Sequence, residues 1–267
     1  MIYMKIFAIA NQKGGVSKTT TVHCIGAGLA HTGFKVLLID LDPQSNLTSI
    51  CHAVSDAQDK TTVTMLEILA KENNINEGIQ HLELFDIIPS SMFLASIDSR
   101  LTDQMARPYR LQNALKDLKA DYDYVLIDTP PALGTLTNNA LVAADSVIIP
   151  AQADILSLQG VSQLYETIES VKEHANPNLT VSGIVLTRFQ GRANLTKEIV
   201  TLFDAAAKQL KTVVFENRIR EAIAVKEAQA ALSDIFTIDS KSNASIDYGK
   251  LIKEIFKIDI KKKAGAN

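Results

Sequence analysis

The sequence predicts a single-domain, doubly wound α/β fold with a mostly parallel sheet. Three observations predict it. Short, almost continuous apolar runs recur along the 267 residues, amphipathic stretches separate them, and a glycine-rich turn joins the first run to the first amphipathic stretch. Strands covered by helices on both faces read as unbroken apolar runs. Their alternation with helical patterns implies layers of helix on a parallel sheet.

Residues 5–10 (KIFAIA) read as the first strand and about 18–32 as the first helix. The runs 35–40 (KVLLID), 84–88 (LFDII), 123–128 (DYVLID), 145–150 (DSVIIP) and 180–186 (TVSGIVL) read as further strands, with 212–215 (TVVF) a candidate seventh. Helical periodicity covers about 109–119, 155–174, 194–208 and 245–257. The polar stretches 53–62 and 237–245 read as loops. Strand order cannot be read from the runs.

Composition narrows the class. Hydrophobic residues make up 46% and charged residues 21%, an ordinary soluble balance. There is no apolar run of 18 residues, so no membrane span is expected. Lys5 and Asn11 leave the first apolar run too short for a signal peptide. Cys24 and Cys51 are too few for a disulfide framework or a four-cysteine metal site, and two incidental thiols fit a reducing cytoplasm. The net charge of −3 means that any nucleic-acid binding must come from a local patch.

The chemistry starts at Lys13-Gly14-Gly15-Val16-Ser17-Lys18-Thr19-Thr20, between the first strand and the first helix. Backbone N–H groups of a glycine-rich turn can point at phosphate oxygens, and the helix N-terminus adds a favourable dipole. Lys18 then reaches the β- and γ-phosphates, and the Thr19 hydroxyl binds Mg²⁺. Mg-ATP is the expected ligand. Gln12 and Ser17 stand where the standard loop has glycine. Serine adopts the backbone angles of that glycine only with strain.

Phosphoryl transfer also needs carboxylates for the Mg²⁺ shell and the attacking water. Asp40 and Asp128 close two predicted strands, and strand C-terminal ends face the ligand crevice of an open sheet. A strand-end aspartate is also a common cap. Here two of them accompany the loop.

With Lys13 at the head of the loop, the sequence resembles the deviant Walker A family of P-loop ATPases, which includes ParA, MinD and the nitrogenase iron protein. The resemblance implies that Lys13 crosses a dimer interface to touch the partner's phosphates, joining Lys18 and Asp40 in catalysis. Residues 40–44 (DLDPQ) are similar to the DxDPQ signature of ParA proteins, which implies that Asp40 orients the water and Asp42 makes a switch contact near the nucleotide. Residues 128–131 (DTPP) resemble the Walker B segment, which implies that Asp128 holds Mg²⁺ through water. The likeness to small ParA proteins extends over 121–141, 185–195 and 217–222. The chain starts at the first strand, so one domain over 1–267 is expected, without the N-terminal helix-turn-helix of larger relatives.

Membership of that kind implies a slow ATPase, stimulated by DNA and a partner. It would dimerise with ATP, bind non-specific DNA and answer to a ParB-type centromere-binding protein, in the cytoplasm and on the nucleoid. Local charge agrees independently. Between Arg188 and Lys226 eight basic residues face four acidic ones. Such a patch gives sequence-independent, salt-sensitive affinity. By alignment with the family's motifs, Arg192, Arg220 and Arg218 are the candidate DNA contacts, while residues near Arg188 and Asn217 are alternatives for the adenine. Three rival readings remain, one of them a binding module that holds ATP but hydrolyses it poorly. MinD-like membrane cycling needs an amphipathic end such as 249–263, although Leu251, Ile252, Ile255 and Phe256 also fit a core stripe. A metabolic synthetase of the same superfamily would turn over a small substrate without DNA.

Overall fold

The computed structural model describes residues 4–55, 59, 61–102, 106–190, 194–258 and 260. Among the described residues seven strands form one sheet: β1 (Lys5–Ile9), β2 (Val36–Asp40), β3 (Gln80–His81), β4 (Asp86–Ile88), β5 (Tyr124–Asp128), β6 (Ser146–Gln152) and β7 (Thr180–Thr187). Their order is β3-β4-β2-β5-β1-β6-β7. All neighbours are parallel except the β3–β4 pair. The doubly wound reading therefore holds, with a two-residue antiparallel edge that the sequence did not announce.

Helices cover both faces. One apolar layer joins Leu37, Ile39, Val125, Ile127, Val147 and Ile149 to α6 (Thr135–Ala143), α7 (Ile155–His174) and α8 (Asn194–Gln209). The other joins Ile9, Leu38, Leu126 and Ile148 to α1 (Lys18–His31) and α11 (Asn243–Phe256). Gly28 of α1 sits against Ile252 of α11 so closely that a Cβ there would collide with the Ile252 side chain. Leu251 and Ile252 are fully buried, and Phe256 packs edge-on to Phe7 with ring centroids 5.0 Å apart. The apolar stripe of α11 thus serves the core. Among the described residues, no helix is long and apolar enough to cross a membrane.

Several elements differ from the sequence reading. The run 212–215 makes one parallel bridge, Ile184–Val214, and no strand. The helix expected over 109–119 shortens to α5 (Arg110–Leu115), preceded by a 3₁₀ turn at Arg107–Tyr109. The loop expected over 237–245 includes the end of α10 (Ile235–Ile238) and the start of α11, because Asp234 and Ser242 each cap a helix. The helices α2 (Asn46–Ile50), α3 (Met65–Ala70), α4 (Ile97–Arg100), α6 and α9 (Ile223–Ala230) add to those foreseen.

Candidate nucleotide site

The parallel order brings the ends of β2, β5, β1 and β6 side by side, and the glycine-rich loop rises from β1 at their centre. Gly14 and Gly15 are exposed, and nothing lies within 4 Å of where a Cβ would project from either. Gly15 has φ +76°. The loop is anchored from two strands that the sequence reading did not connect to it. Gln152 Nε2 donates to the Gly15 carbonyl at 2.9 Å, and Thr187 Oγ1 donates to the Val16 carbonyl at 3.0 Å. Val16 is wholly buried. Ser17 has φ 66° and ψ 31°, the left-handed conformation that the missing glycine would have taken without strain. Thr19 and Thr20, in the first turn of α1, are half-buried.

Lys18 is buried and its Nζ donates to the Lys13 carbonyl at 3.4 Å, lying back over the loop. Burial lowers its pKa, opposed by the charges of Asp128 and Asp42. Asp128 is fully buried, and neither of its oxygens has a hydrogen-bond partner of acceptable geometry. Burial first, and Asp40 second, push its carboxyl well above the ordinary value, with the Thr19 hydroxyl and Lys18 pulling the other way. A buried carboxylate without donors, beside a hydroxyl and an ammonium, is chemically complete only when a cation or a charged ligand joins it.

Asp40 pairs in register with Asp128 across β2 and β5. It is also fully buried, but its oxygens are engaged. One accepts the Asp42 amide at 3.0 Å; the other accepts the Thr48 amide at 2.9 Å and the Thr48 hydroxyl at 2.8 Å. Burial raises its pKa to about 6 against the pull of these bonds. A carboxylate so occupied is poorly placed to hold the attacking water, the role expected of it. Asp42 is nearly buried and gives one oxygen to the Gln44 amide at 2.9 Å.

Lys13 Nζ lies 2.7 Å from Asp154 Oδ2, within its own chain. Asp154 also caps α7 through the Ser157 amide. Burial pushes its carboxyl up, but the hydrogen bonds from Lys13 and Ser157 outweigh this and hold it below the ordinary value.

A family model described as an AAA domain matches residues 4–181. The chain is 39% identical over 260 residues to the chromosome partitioning protein ParA of Myxococcus xanthus, a match that covers 97% of this chain and 90% of that protein. The chain belongs to the ParA family. The sporulation initiation inhibitor protein Soj of Bacillus subtilis is 37% identical over 253 residues, covering 94% of this chain and 98% of that relative. Among solved structures, cobyrinic acid a,c-diamide synthase from Mycobacterium smegmatis superposes on this ParA-family fold with a TM-score of 0.80 at 32% identity, covering 94% of this chain and 93% of that one. It has been solved with ADP and magnesium and with an ATP analogue and magnesium.

The basic patch of this ParA-family chain is held together locally. Phe189 and Arg220 form a parallel bridge, and the Arg218 guanidinium lies 4.6 Å from the centre of the Phe189 ring. Arg188, at φ 48°, pairs with Glu221 at 2.9 Å. Arg220 grips Asp247 with two nitrogens, at 2.8 Å and 2.7 Å. Arg192 lies outside the described residues. The Asn217 amide nitrogen, a candidate for the adenine, donates to Glu254 at 2.6 Å. Sequence reasoning missed Gln152, Asp154, Thr187 and Thr48. Asp154 carries a cap signal, since it precedes a helical run, but nothing in the sequence joins it to Lys13.

Proposed function

We propose that this protein is an ATP-driven DNA-partitioning switch. The observation that carries the nucleotide reading is Asp128, a buried carboxylate with no donor, facing Lys18 and Thr19 beneath an open glycine loop. Backbone amides over Lys13 to Thr20 cradle the phosphates, and Lys18 contacts the β- and γ-phosphates. The Thr19 hydroxyl and Asp128 would hold Mg²⁺, which would neutralise charge on the phosphates. The Mycobacterium smegmatis neighbour, solved with such ligands, supports this reading.

Asp42 orients the water that attacks the γ-phosphorus, and Asp40 anchors the segment that carries it. Lys13 leaves Asp154 and reaches the partner's phosphates when two ATP-loaded chains close as a homodimer. Closure joins the surfaces around Arg192, Arg218 and Arg220 into a site for non-specific DNA. A ParB-type partner stimulates slow hydrolysis, and the dimer opens and releases the nucleoid. The name of the Myxococcus relative, a chromosome partitioning protein, favours this cargo. The membrane-cycling reading is weakened over α11, whose apolar stripe is taken up by the core, while residues 259 and 261–263 of the candidate end lie outside the described residues.

Retention on a DNA column in Mg-ATP, compared with Mg-ADP and no nucleotide, tests the switch. Retention in ATP alone is the expected result, and nucleotide-independent behaviour would sink it. A second reading, a small-molecule synthase, is favoured by the name of the structural neighbour. Glutamine-dependent ATP turnover on a carboxylate substrate without DNA would replace the switch by that reading.

A further inference from the structure

We infer that Thr48 is a positioning residue for hydrolysis: its hydroxyl ties Asp40 to the end of β4 and so sets where Asp42 stands. The inference rests on the ATPase reading above.

Thr48 is 1% exposed and sits on α2, eight residues beyond Asp40. A threonine hydroxyl has one proton and two acceptor sites. Here the proton goes to Asp40 Oδ2 at 2.8 Å, and the oxygen accepts the Ser90 amide at 2.9 Å. The Thr48 amide donates to the same carboxylate oxygen at 2.9 Å. The other oxygen of Asp40 accepts the Asp42 amide at 3.0 Å. One buried carboxylate therefore closes the segment 40–48 into a ring, and one hydroxyl fastens that ring to Ser90, two residues beyond β4.

The segment needs such fastening. Ser45, between Asp42 and Thr48, stands at φ 52°, a conformation that a residue with a Cβ adopts only under strain. Its amide donates to the Asp42 carbonyl at 2.8 Å. A strained turn persists where its surroundings over-determine it, and the bonds of Asp40 and Thr48 supply that determination. Ser90 in turn leads into a short 3₁₀ turn, Met92–Ser96, where Met92 and Phe93 are exposed beside the same sheet edge. Small displacements of catalytic groups have large kinetic consequences, while the phosphate cradle, on a different segment, is untouched.

Thr48→Val keeps shape and removes both hydroxyl bonds. Hydrolysis by the full chain with Mg-ATP should fall at least tenfold in kcat, with KM and the binding of a fluorescent ATP analogue within about threefold of wild type. Thr48→Ser, which keeps the hydroxyl, should restore kcat to within about threefold. Asp40→Asn should resemble Thr48→Val, and the double variant should be little worse than either, since both cut one linkage. Should Thr48→Val not fold, Thr48→Ala takes its place in the same assays. Wild-type kcat in the folded variant, or loss of analogue binding in step with hydrolysis, overturns the inference. Failure of the wild type itself to bind the analogue would instead strike the ATPase reading.

Discussion

Asp40 and Asp128 face each other in register at the C-terminal ends of β2 and β5, both fully buried. One is satisfied by three protein donors, and the other by none. Two neighbouring strands that each end in aspartate place two charges in a site closed to bulk water. The arrangement favours protonation until a cation arrives.

Stability should therefore fall as pH rises in the nucleotide-free protein. Asp40 has its carboxyl at about 6 when folded, against 3.8 ordinarily, so the folded chain holds a proton that the unfolded chain releases. The contribution is fully present below about pH 4 and is lost as pH rises through about 6. Asp128 shifts in the same direction. Urea midpoints at pH 5 should exceed those at pH 7.5 without Mg-nucleotide, and Asp40→Asn should flatten the difference. A midpoint that climbs over this range contradicts the assignment.

Ser17 supplies a test of loop strain. A left-handed conformation costs about 1–2 kcal/mol for a residue with a Cβ, and glycine gives back about 0.5–1 kcal/mol in the unfolded chain. Ser17→Gly should thus stabilise the protein by ~0.5 kcal/mol and raise Tm by about 1–2 °C. ATP affinity should hold or tighten. A clear drop in Tm would mean that the serine side chain makes a stabilising contact outweighing the strain.

The fold was legible where pattern and burial coincide. The twenty residues of α7 follow the helical period from Ile155 to His174, and the β5 and β2 runs end at the aspartates that matter. Helix α6 was hidden because its polar residues Thr135, Thr137, Asn138 and Asn139 crowd its first turns instead of lining one face, and Thr137 and Asn139 are buried. The run at 212–215 failed as a strand although its composition suits one, since Val213 is exposed and only Val214 bridges β7. The phosphate loop was legible because its chemistry is contiguous. The partners Asp154 and Thr187, both remote in sequence from the loop, were not, since a tertiary contact leaves no local signal.

Lys13 and Asp154 suggest how closure is restrained. The pair is partly exposed and worth no more than about 1 kcal/mol per chain, and two such pairs would break in the proposed dimer. Asp154→Asn removes the charge and retains a good helix cap. ATP-dependent dimers should tighten about 3- to 10-fold by sedimentation velocity, with nucleotide affinity of the monomer unchanged. Weaker dimers would show that Asp154 acts in the closed state instead.

Arg220 needs a more careful test than charge reversal. Asp247 accepts both its guanidinium nitrogens and its backbone amide, so Arg220→Glu would set two carboxylates against each other and destabilise the chain whether or not DNA binds there. Arg220→Gln avoids the repulsion. If Arg220 contacts phosphate, this variant should weaken DNA binding in ATP and lower the salt slope by about one. Asp247→Asn frees the arginine from its strongest competitor, so it should lower Tm yet leave DNA affinity equal or higher. Arg218→Ala should weaken binding too, by removing the cation stacked on Phe189. Should both arginine variants keep wild-type affinity and salt slope while folded and dimeric, the DNA surface lies elsewhere and the charge of this patch is structural.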